Sequence, residues 1–317
     1  MNYTVIVNPA AGHGTARARV PQIDALMRDA GLDYELVLTE RPWHAADLAQ
    51  AAAEAGVDVV VAAGGDGTAN EVLNGLMRLP LEARTTAMGV LCIGRGNDFA
   101  FGADIPTPLD EGIRTLAEGH RRTRDVGHVV CGDAAGRYFG NGIGIGFDTV
   151  VGIEAGKLKR LRGFAGYVVA ALKTTFLYYQ APLLTLEFDD AANGHRNTLE
   201  LPALMVSVMN GRRMGGGFLM APEGDPADGL FDLCIAREVG RLHILALVPH
   251  FMCGSQATQA PISTARTRCL DVTSHNGALP THADGELLCT EARQLRVTIL
   301  PDQIDVISRA PSNGKGC

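Results

Sequence analysis

The chain has no CxxC pair, no low-complexity tract and no long uninterrupted apolar run. Its seven cysteines are odd in number and scattered, which argues against a disulfide framework or a zinc site and indicates reduced thiols. The longest apolar region, 166–186, is interrupted by Lys173, Gln180 and Pro182 and therefore falls short of a membrane span. No basic segment precedes the first apolar run, so we expect no signal peptide. We expect a cytoplasmic protein whose membrane contact is peripheral.

Basic residues are also in the minority. Lys and Arg number 28 against 35 Asp and Glu, and the net charge of -7 argues against a general nucleic-acid binder. The chain has 317 residues, of which 46% are hydrophobic, and this is enough to form cores for two domains. We expect disorder only in the tail, 311–317.

Apolar strands alternate with helices over residues 1–124. The predicted strands are Tyr3–Val7, Tyr34–Leu38, Val57–Ala62 and Met88–Ile93, and the helices between them start near Thr15, Trp43 and Thr68. Uniformly apolar strands joined by helices predict a parallel sheet that is covered on both faces. This part of the chain is therefore predicted to be a Rossmann-like α/β domain, whose ligands bind at the carboxyl ends of the strands.

Short β runs dominate residues 125–300. They are Val126–Cys131, Arg137–Ile145, Leu183–Phe188, Leu201–Met209, Leu230–Ala236, Arg268–Thr273 and Leu295–Leu300. Only two helices are predicted among them, Gly163–Tyr179 and Arg241–Met252, so this domain is predicted to be an antiparallel β-sandwich or barrel. Glycines alternate over 140–146, which predicts close backbone packing against one face of a strand.

Gly64-Gly65-Asp66-Gly67-Thr68 lies between the third strand and a helix. Thr68 and Glu71 have the spacing of a capping box, which predicts that the helix begins at Thr68. A glycine-lined turn before a helix N-terminus is an anion site, and phosphate is the usual anion. A carboxylate beside phosphate is best explained by a metal ion, so Asp66 indicates a magnesium nucleotide. The alternative is a structural turn in which Asp66 is an ordinary turn residue.

Three colinear motifs carry a resemblance to a known family. They are the GGDGT loop with Asn70-Glu71, the turn Asn8–Gly12, and the loop Gly94–Ala100. Together they resemble the diacylglycerol kinase catalytic-domain family of bacterial lipid kinases, which is related to sphingosine and ceramide kinases and, distantly, to NAD kinases. The resemblance implies an ATP- and Mg²⁺-dependent kinase acting on diacylglycerol or, alternatively, on phosphatidylglycerol, ceramide or a sphingoid base. An NAD kinase and a catalytically altered nucleotide-binding regulator remain alternatives.

The resemblance also implies the architecture and the nucleotide site. The second domain, 125–300, is implied to be a lipid-binding β-sandwich, and the segment 301–317 is implied to return to the first domain. Asp66 and Asp98 are implied to lie near the phosphates or their metal, with an N-cap as the alternative role of Asp98 and a capping box as that of Glu71. The implied nucleotide contacts are Asn8, Gly12, Thr39, Gly64, Gly65, Asp66, Gly67, Thr68, Asn70, Glu71, Gly94, Arg95 and Asn97.

Ala283-Asp284-Gly285-Glu286 is similar to the family's Asp-Gly-Glu motif. The resemblance implies that Glu286 is the general base, with Asp284 assisting through magnesium or the substrate hydroxyl, and places both across an interdomain cleft from the nucleotide. Taken alone, Asp-Gly indicates a hairpin turn. Residues 225–230 resemble a second, structural magnesium site with Asp225, Asp228 and Leu230 as ligands, for which a solvated acidic turn is the alternative. Residues 210–217 match a family segment near the acceptor site.

One residue departs from the family pattern. Arg95 follows Gly94 where family members commonly have threonine, so it either grips the triphosphate, alters the nucleotide or lipid preference, or faces solvent.

A basic cluster close to aromatic residues indicates peripheral binding to an anionic membrane, with a solvated face as the alternative. Its members are Lys157, Lys159, Arg160 and Arg162. The sequence leaves open the acceptor lipid, the pathway, the occupancy of the second metal site and the oligomeric state, a homodimer included.

Overall fold

The structure is a computed structural model that describes residues 1–94, 96–132, 135–157, 164–177, 180–192 and 194–310. The chain forms two compact units. The first comprises Met1–Arg124 and the returning segment that starts at Asp302, and the second is Asp125–Pro301.

The first unit alternates strands and helices along the chain. Its elements are β1 (Asn2–Val7), α1 (Thr15–Asp29), β2 (Asp33–Leu38), α2 (His44–Glu54), β3 (Val59–Gly64), α3 (Asp66–Leu76), β4 (Ala87–Cys92), α4 (Asp98–Gly102), α5 (Leu109–Glu118) and β5 (Arg121–Cys131). The last of these strands continues into the second unit.

The second unit is built mainly of strands. Its elements are β6 (Arg137–Phe139), β7 (Gly142–Gly146), α6 (Phe147–Lys157), α7 (Phe164–Leu177), β8 (Leu183–Asp189), β9 (Arg196–Met209), β10 (Phe231–Arg237), α8 (Arg241–Cys253), β11 (Ile262–Thr267), β12 (Cys269–Ser274), β13 (Thr281–Ala283), β14 (Glu286–Cys289) and β15 (Gln294–Ile307). The last residues of β15 belong to the first unit.

The sheet of the first unit is parallel. Strand β1 pairs with β2 and β3, β3 pairs with β4, and Val306 of β15 pairs with Met88 of β4. Both β3 and β4 are buried at every position, as expected for strands with helices on both faces. This order brings the carboxyl ends of β1, β3 and β4 side by side, and the loops that are predicted to bind nucleotide follow these strands.

The second unit is a β-sandwich in which one long strand belongs to both sheets. The first half of β9 pairs with β8, which continues through β12 to β15. The second half of β9 pairs with β7 and β10, and these extend to β13, β14 and β11. Side chains from both sheets fill the core, and the stacked rings of Phe139 and Phe231 lie 5.5 Å apart between centroids.

The predicted combination of a parallel α/β domain with an antiparallel β-sandwich is confirmed. Some element predictions were wrong. The strand predicted over 137–145 is two strands, and the helix α6 was missed because its apolar run continues directly from β7. Pro21 lies inside α1 on its exposed face, where water can reach the carbonyl that proline leaves unpaired.

Several residues about which the sequence made predictions lie outside the described part of the chain. These are Arg95, Lys159, Arg160, Arg162 and the tail 311–317, and the side chain of Lys157 is also not described. No helix among the described residues is long and apolar enough to cross a membrane.

Candidate active site

Two glycine-containing loops of the first unit are in direct backbone contact. The Gly64 carbonyl accepts hydrogen bonds from the N–H groups of Ile93 and Gly94, at 2.7 and 3.0 Å. A Cβ atom on Gly94 would lie 2.5 Å from the Cα of Gly65, and one on Gly65 would lie 3.2 Å from the Cα of Gly94. Any side chain at these positions would push the loops apart, which explains why both are glycine.

Asp66 and Asp98 face the same point between these loops. Oδ1 of Asp66 accepts a hydrogen bond from the Phe99 N–H at 3.1 Å. A Cβ on Gly96 would lie 2.7 Å from Oδ2 of Asp66 and 3.4 Å from Oδ2 of Asp98, so both carboxylates border the bare Gly96 backbone. Two carboxylates suit Mg²⁺, which takes one or two from protein and the rest of its ligands from phosphate and water. Among the described residues, no group of three or more His, Cys, Asp or Glu could hold a metal.

Helix α3 begins at Asp66, two residues before the predicted start. Its N-cap is Gly65, which has no side chain to cap the helix, so the amides of the first turn adjoin the glycine loop. The predicted capping box was wrong, because Thr68 is already helical and Glu71 bonds elsewhere. Helix α4 likewise begins at Asp98 with Asn97 as N-cap, so Asp98 is not the cap.

Asn70 and Glu71 make contacts with neighbouring protein groups. Asn70 is buried, and Asn74 donates to its backbone carbonyl at 2.8 Å and to its Oδ1 at 3.2 Å. Oε2 of Glu71 accepts a hydrogen bond from the Ala45 N–H at 3.2 Å, in the first turn of α2. A carboxylate at that position stabilises the N-terminus of α2. Their predicted contact with nucleotide stays a prediction.

The remaining nucleotide candidates surround the same loops. Asn8 connects the turn after β1 to the first turn of α3, because its Nδ2 donates to Oγ1 of Thr68 at 3.2 Å and its Oδ1 accepts from the Ala10 N–H at 3.0 Å. Gly12 packs against the carbonyl of Ile93, where a Cβ would approach to 2.9 Å. Thr39 follows β2, and its N–H donates to the Val7 carbonyl. Gly67 lies in the first turn of α3, and Nδ2 of Asn97 donates to the Gly94 carbonyl.

In the second unit, the carboxylate of Asp284 binds three consecutive backbone N–H groups. Oδ1 accepts from Asn141 and Gly142 at 3.0 Å each, and Oδ2 accepts from Gly140 at 2.8 Å. All four residues are buried. The Asp284 side chain therefore anchors its turn to the segment that leads into β7.

Asp284 and Gly285 form the two-residue turn between β13 and β14. Both have positive φ, 47° and 83°, which is the conformation that Asp-Gly hairpins adopt. Glu286 follows as the first residue of β14 and is exposed to solvent. An exposed carboxylate on an anchored turn is available to a substrate.

Residues 225–230 form a turn that holds its own carboxylates. Oδ1 of Asp225 accepts from the Ala227 N–H, Oδ1 of Asp228 accepts from the Leu230 N–H, and Asp228 pairs with Arg266. The buried Asp125, which the sequence analysis did not select, accepts from the Gly229 N–H at 2.7 Å. Oxygen donors of this kind suit magnesium, but Arg266 already supplies positive charge to Asp228, and the second metal site stays a prediction.

Asp148 and His282 were also missed by the sequence analysis. Asp148, in the first turn of α6, lies over the Cα of Gly144, where a Cβ would collide with both side chains. The predicted close backbone packing is found at Gly146, where a Cβ would lie 2.9 Å from the Leu204 carbonyl, whereas Gly144 makes room for a carboxylate and an imidazole. Burial raises the pKa of Asp148, and the neighbouring His282 acts in the opposite direction.

Two known protein domains match this chain, one over each of its two units. Residues 2–129 match the diacylglycerol kinase catalytic domain, and residues 118–308 match the YegS C-terminal NAD kinase beta sandwich-like domain. The chain is 27% identical over 289 residues to a diacylglycerol kinase of Mycobacterium tuberculosis, covering 90% of this chain and 89% of that protein. It is 30% identical over 289 residues to a probable YegS-like lipid kinase of Yersinia pestis, covering 90% of each.

A solved structure has the same fold. The crystal structure of a putative diacylglycerol kinase from Bacillus anthracis str. Sterne superimposes with a TM-score of 0.76 at 21% identity, covering 97% of this chain and 95% of that one. Both domain models match in order, and the Yersinia relative is matched along nearly its whole length. The chain therefore belongs to the family of diacylglycerol kinases and YegS-like lipid kinases.

Proposed function

We propose that the protein is an ATP-dependent kinase that transfers the γ-phosphate to a hydroxyl of a membrane lipid, with diacylglycerol as the leading acceptor. The observation that carries this proposal is the pair of carboxylates, Asp66 and Asp98, that border the bare Gly96 backbone beside the glycine-capped N-terminus of α3. Helix N-termini and bare backbone bind phosphate, and the carboxylates supply what a phosphate-bound Mg²⁺ needs.

Each residue then has a separate task in the transfer. The α3 amides and the Gly94–Asn97 loop bind the triphosphate, and Asp66 and Asp98 hold the magnesium ion. When bound, Mg²⁺ would neutralise negative charge on the phosphates. Glu286 accepts the proton of the attacking lipid hydroxyl, which requires a carboxylate within hydrogen-bond reach of it. Asp284 assists by fixing the turn that carries Glu286.

Family membership supports the choice of acceptor. Relatives of this chain are named diacylglycerol kinase or lipid kinase, which favours diacylglycerol over phosphatidylglycerol, ceramide or a sphingoid base. The same membership disfavours the NAD kinase alternative.

The test is transfer of labelled γ-phosphate from Mg-ATP to diacylglycerol, phosphatidylglycerol, ceramide and sphingosine in mixed micelles, with NAD as the competing acceptor. A labelled lipid supports the proposal and identifies the acceptor, whereas label on NAD contradicts it. Glu286→Gln is expected to retain ATP binding and lose at least about 100-fold in kcat, because removal of a general base typically has an effect of this size. Glu291→Gln, exposed and close in sequence, is the matched control and should remain active. A Glu286→Gln enzyme with normal kcat would exclude this residue as the base.

We further propose that the second unit rests on the inner face of an anionic membrane. Helix α7 exposes Val169, Leu172, Phe176 and Leu177, the last two with 52% and 66% of their surface accessible. Leu242 extends this patch, because the neighbouring Arg241 donates to the Thr175 carbonyl and so places the start of α8 beside α7. The basic cluster at 157–162 precedes this apolar face in sequence, and cations beside apolar residues favour a lipid interface.

Sedimentation with vesicles tests the membrane proposal. Binding to vesicles that contain phosphatidylglycerol is expected to exceed binding to neutral vesicles, and the double change Phe176→Ser and Leu177→Ser should weaken it at least about 10-fold, since each buried apolar side chain contributes roughly 1.5–3 kcal/mol. Leu81→Ser is a matched control, because Leu81 is an exposed leucine of the first unit. Equal binding to both vesicle types would contradict the proposal.

A further inference from the structure

A row of small and polar residues crosses one sheet of the second unit beside the Asp-Gly-Glu turn. Gly144 pairs with Ser207 on one side and with His282 on the other, and His282 in turn pairs with Leu287. Residues paired across antiparallel strands point to the same face. Ser207 and His282 therefore stand on either side of the bare Gly144.

Asp148 occupies the space above Gly144. Its Oδ2 accepts a hydrogen bond from Oγ of Ser207 at 3.3 Å, and its Oδ1 accepts from the Thr149 N–H at 2.8 Å. Nε2 of His282 lies 4.0 Å from Oδ2 of the same carboxylate. Burial of this carboxylate is unfavourable in itself, and its position next to the proposed catalytic turn indicates a role in function.

The two ring nitrogens of His282 face different groups. Nδ1 accepts a hydrogen bond from the Gly285 N–H at 3.3 Å, which requires that Nδ1 carries no hydrogen. The Asp148 carboxylate, on the Nε2 side, favours the tautomer with hydrogen on Nε2. Asp148 thereby keeps Nδ1 in the form that can bind the Gly285 N–H.

We propose that His282 is a positioning residue for Glu286, that it holds the Gly285 N–H, and that Asp148 sets its tautomer. The Gly285 N–H belongs to the peptide between Asp284 and Gly285, one residue before Glu286, so holding it fixes the backbone from which the Glu286 side chain starts. Asp284 fixes one end of the turn to residues 140–142, and His282 fixes the other. This inference rests on the proposed function, in which Glu286 is the general base.

Two measurements on the full chain test the inference, namely kcat with the lipid acceptor and hydrogen exchange of the Gly285 amide. His282→Ala is expected to lower kcat about 10- to 100-fold, since misplacement of a catalytic group by about 1 Å has effects of this size. The KM for ATP should change less than about twofold, because the nucleotide binds the first unit, and the Gly285 amide should exchange faster. His275→Ala is the matched control, because His275 is exposed and contacts Thr185.

Conservative variants separate positioning from a general loss of structure. In His282→Asn, Oδ1 can take the place of Nδ1 and accept from the Gly285 N–H, so most of kcat and the slow amide exchange should return. In His282→Gln the amide group extends toward Asp148 and leaves the Gly285 N–H unpaired, so kcat should stay low. The inference is overturned if His282→Ala matches the wild type in kcat, or if the Asn and Gln variants lose kcat equally.

Failure of the proposed function has a different signature. If the wild type transfers phosphate to no acceptor, the proposed function is wrong, and the amide exchange still decides the inference. Faster Gly285 exchange in His282→Ala than in the wild type would then support the anchor, and equal exchange would overturn it.

Discussion

Replacing Asp284 should destabilise the second unit before it affects any chemistry. The Asp284→Ala change removes both oxygens and leaves the N–H groups of Gly140, Asn141 and Gly142 without their acceptor. All three groups lie in a buried segment. A buried donor left unpaired costs about 1–3 kcal/mol, so the loss of all three acceptors should lower the free energy of unfolding by at least about 3 kcal/mol.

The Asp284→Asn change should have a smaller effect. Its Oδ1 can still accept from Asn141 and Gly142, but its Nδ2 then faces the Gly140 N–H. In the wild type that N–H donates to Oδ2 of Asp284 at 2.8 Å. One lost hydrogen bond and a contact between two donors should lower the free energy of unfolding by about 1–3 kcal/mol. The control is Asp189→Asn at an exposed strand end, which should stay within about 0.5 kcal/mol of the wild type.

Urea unfolding should be followed by two probes, because the only tryptophan, Trp43, lies in the first unit. Tryptophan fluorescence follows the first unit, far-UV circular dichroism follows both units, and hydrogen exchange of residues 140–142 reports on the second alone. The expected result is a lower midpoint by circular dichroism and faster exchange at 140–142. An Asp284→Ala protein with the wild-type midpoint and exchange but no activity would refute this reasoning and restore direct catalysis as the role of Asp284.

Three further predictions follow from the contacts described above. In the same urea titration, Gly94→Ala should lower the free energy of unfolding by about 1–3 kcal/mol, because its Cβ would lie 2.5 Å from the Cα of Gly65. The control is Gly152→Ala inside α6, where a Cβ meets open space, and it should be neutral or stabilising by about 0.5–1 kcal/mol. The Cys131 thiol, whose sulfur lies 3.0 Å from that of Cys289, can donate to the Cys289 thiolate and lowers the pKa of Cys289 to about 7. Alkylation of Cys289 by iodoacetamide, read by mass spectrometry, should therefore accelerate as pH rises through about 7, and a rate that is flat there would contradict this. Burial raises the pKa of Asp148 above its value in the unfolded chain, so ionisation of this carboxyl favours unfolding. Asp148→Asn should therefore be more stable than the wild type at pH about 8, and the difference should shrink below pH about 4, where the carboxyl is protonated in both states. A difference in stability that grows below pH about 4 would contradict this.

The sequence predicted the features that depend on local pattern. Uniformly apolar strands such as β3 and β4 identified the parallel sheet, and the glycine loops after them identified the candidate phosphate site. The roles of Asp148 and His282 could not be predicted, because they depend on β7, β9 and β13 lying side by side although they are distant in sequence. The start of α3 was misplaced because Thr68 and Glu71 have the spacing of a capping box, while Glu71 bonds instead to α2.

The Asp-Gly-Glu motif shows why a turn and a catalytic motif are not exclusive interpretations. Its first two residues adopt the positive φ values of a tight hairpin, and the buried Asp284 carboxylate secures that hairpin to residues 140–142. Glu286, two residues later, begins the next strand and remains exposed. A general base gains from a rigid support more than from its own hydrogen bonds, since alignment supplies most of the rate in phosphoryl transfer. The turn chemistry at Asp284 and Gly285 is thus the physical basis on which Glu286 can act, and changes at either residue should reach the reaction through the position of Glu286.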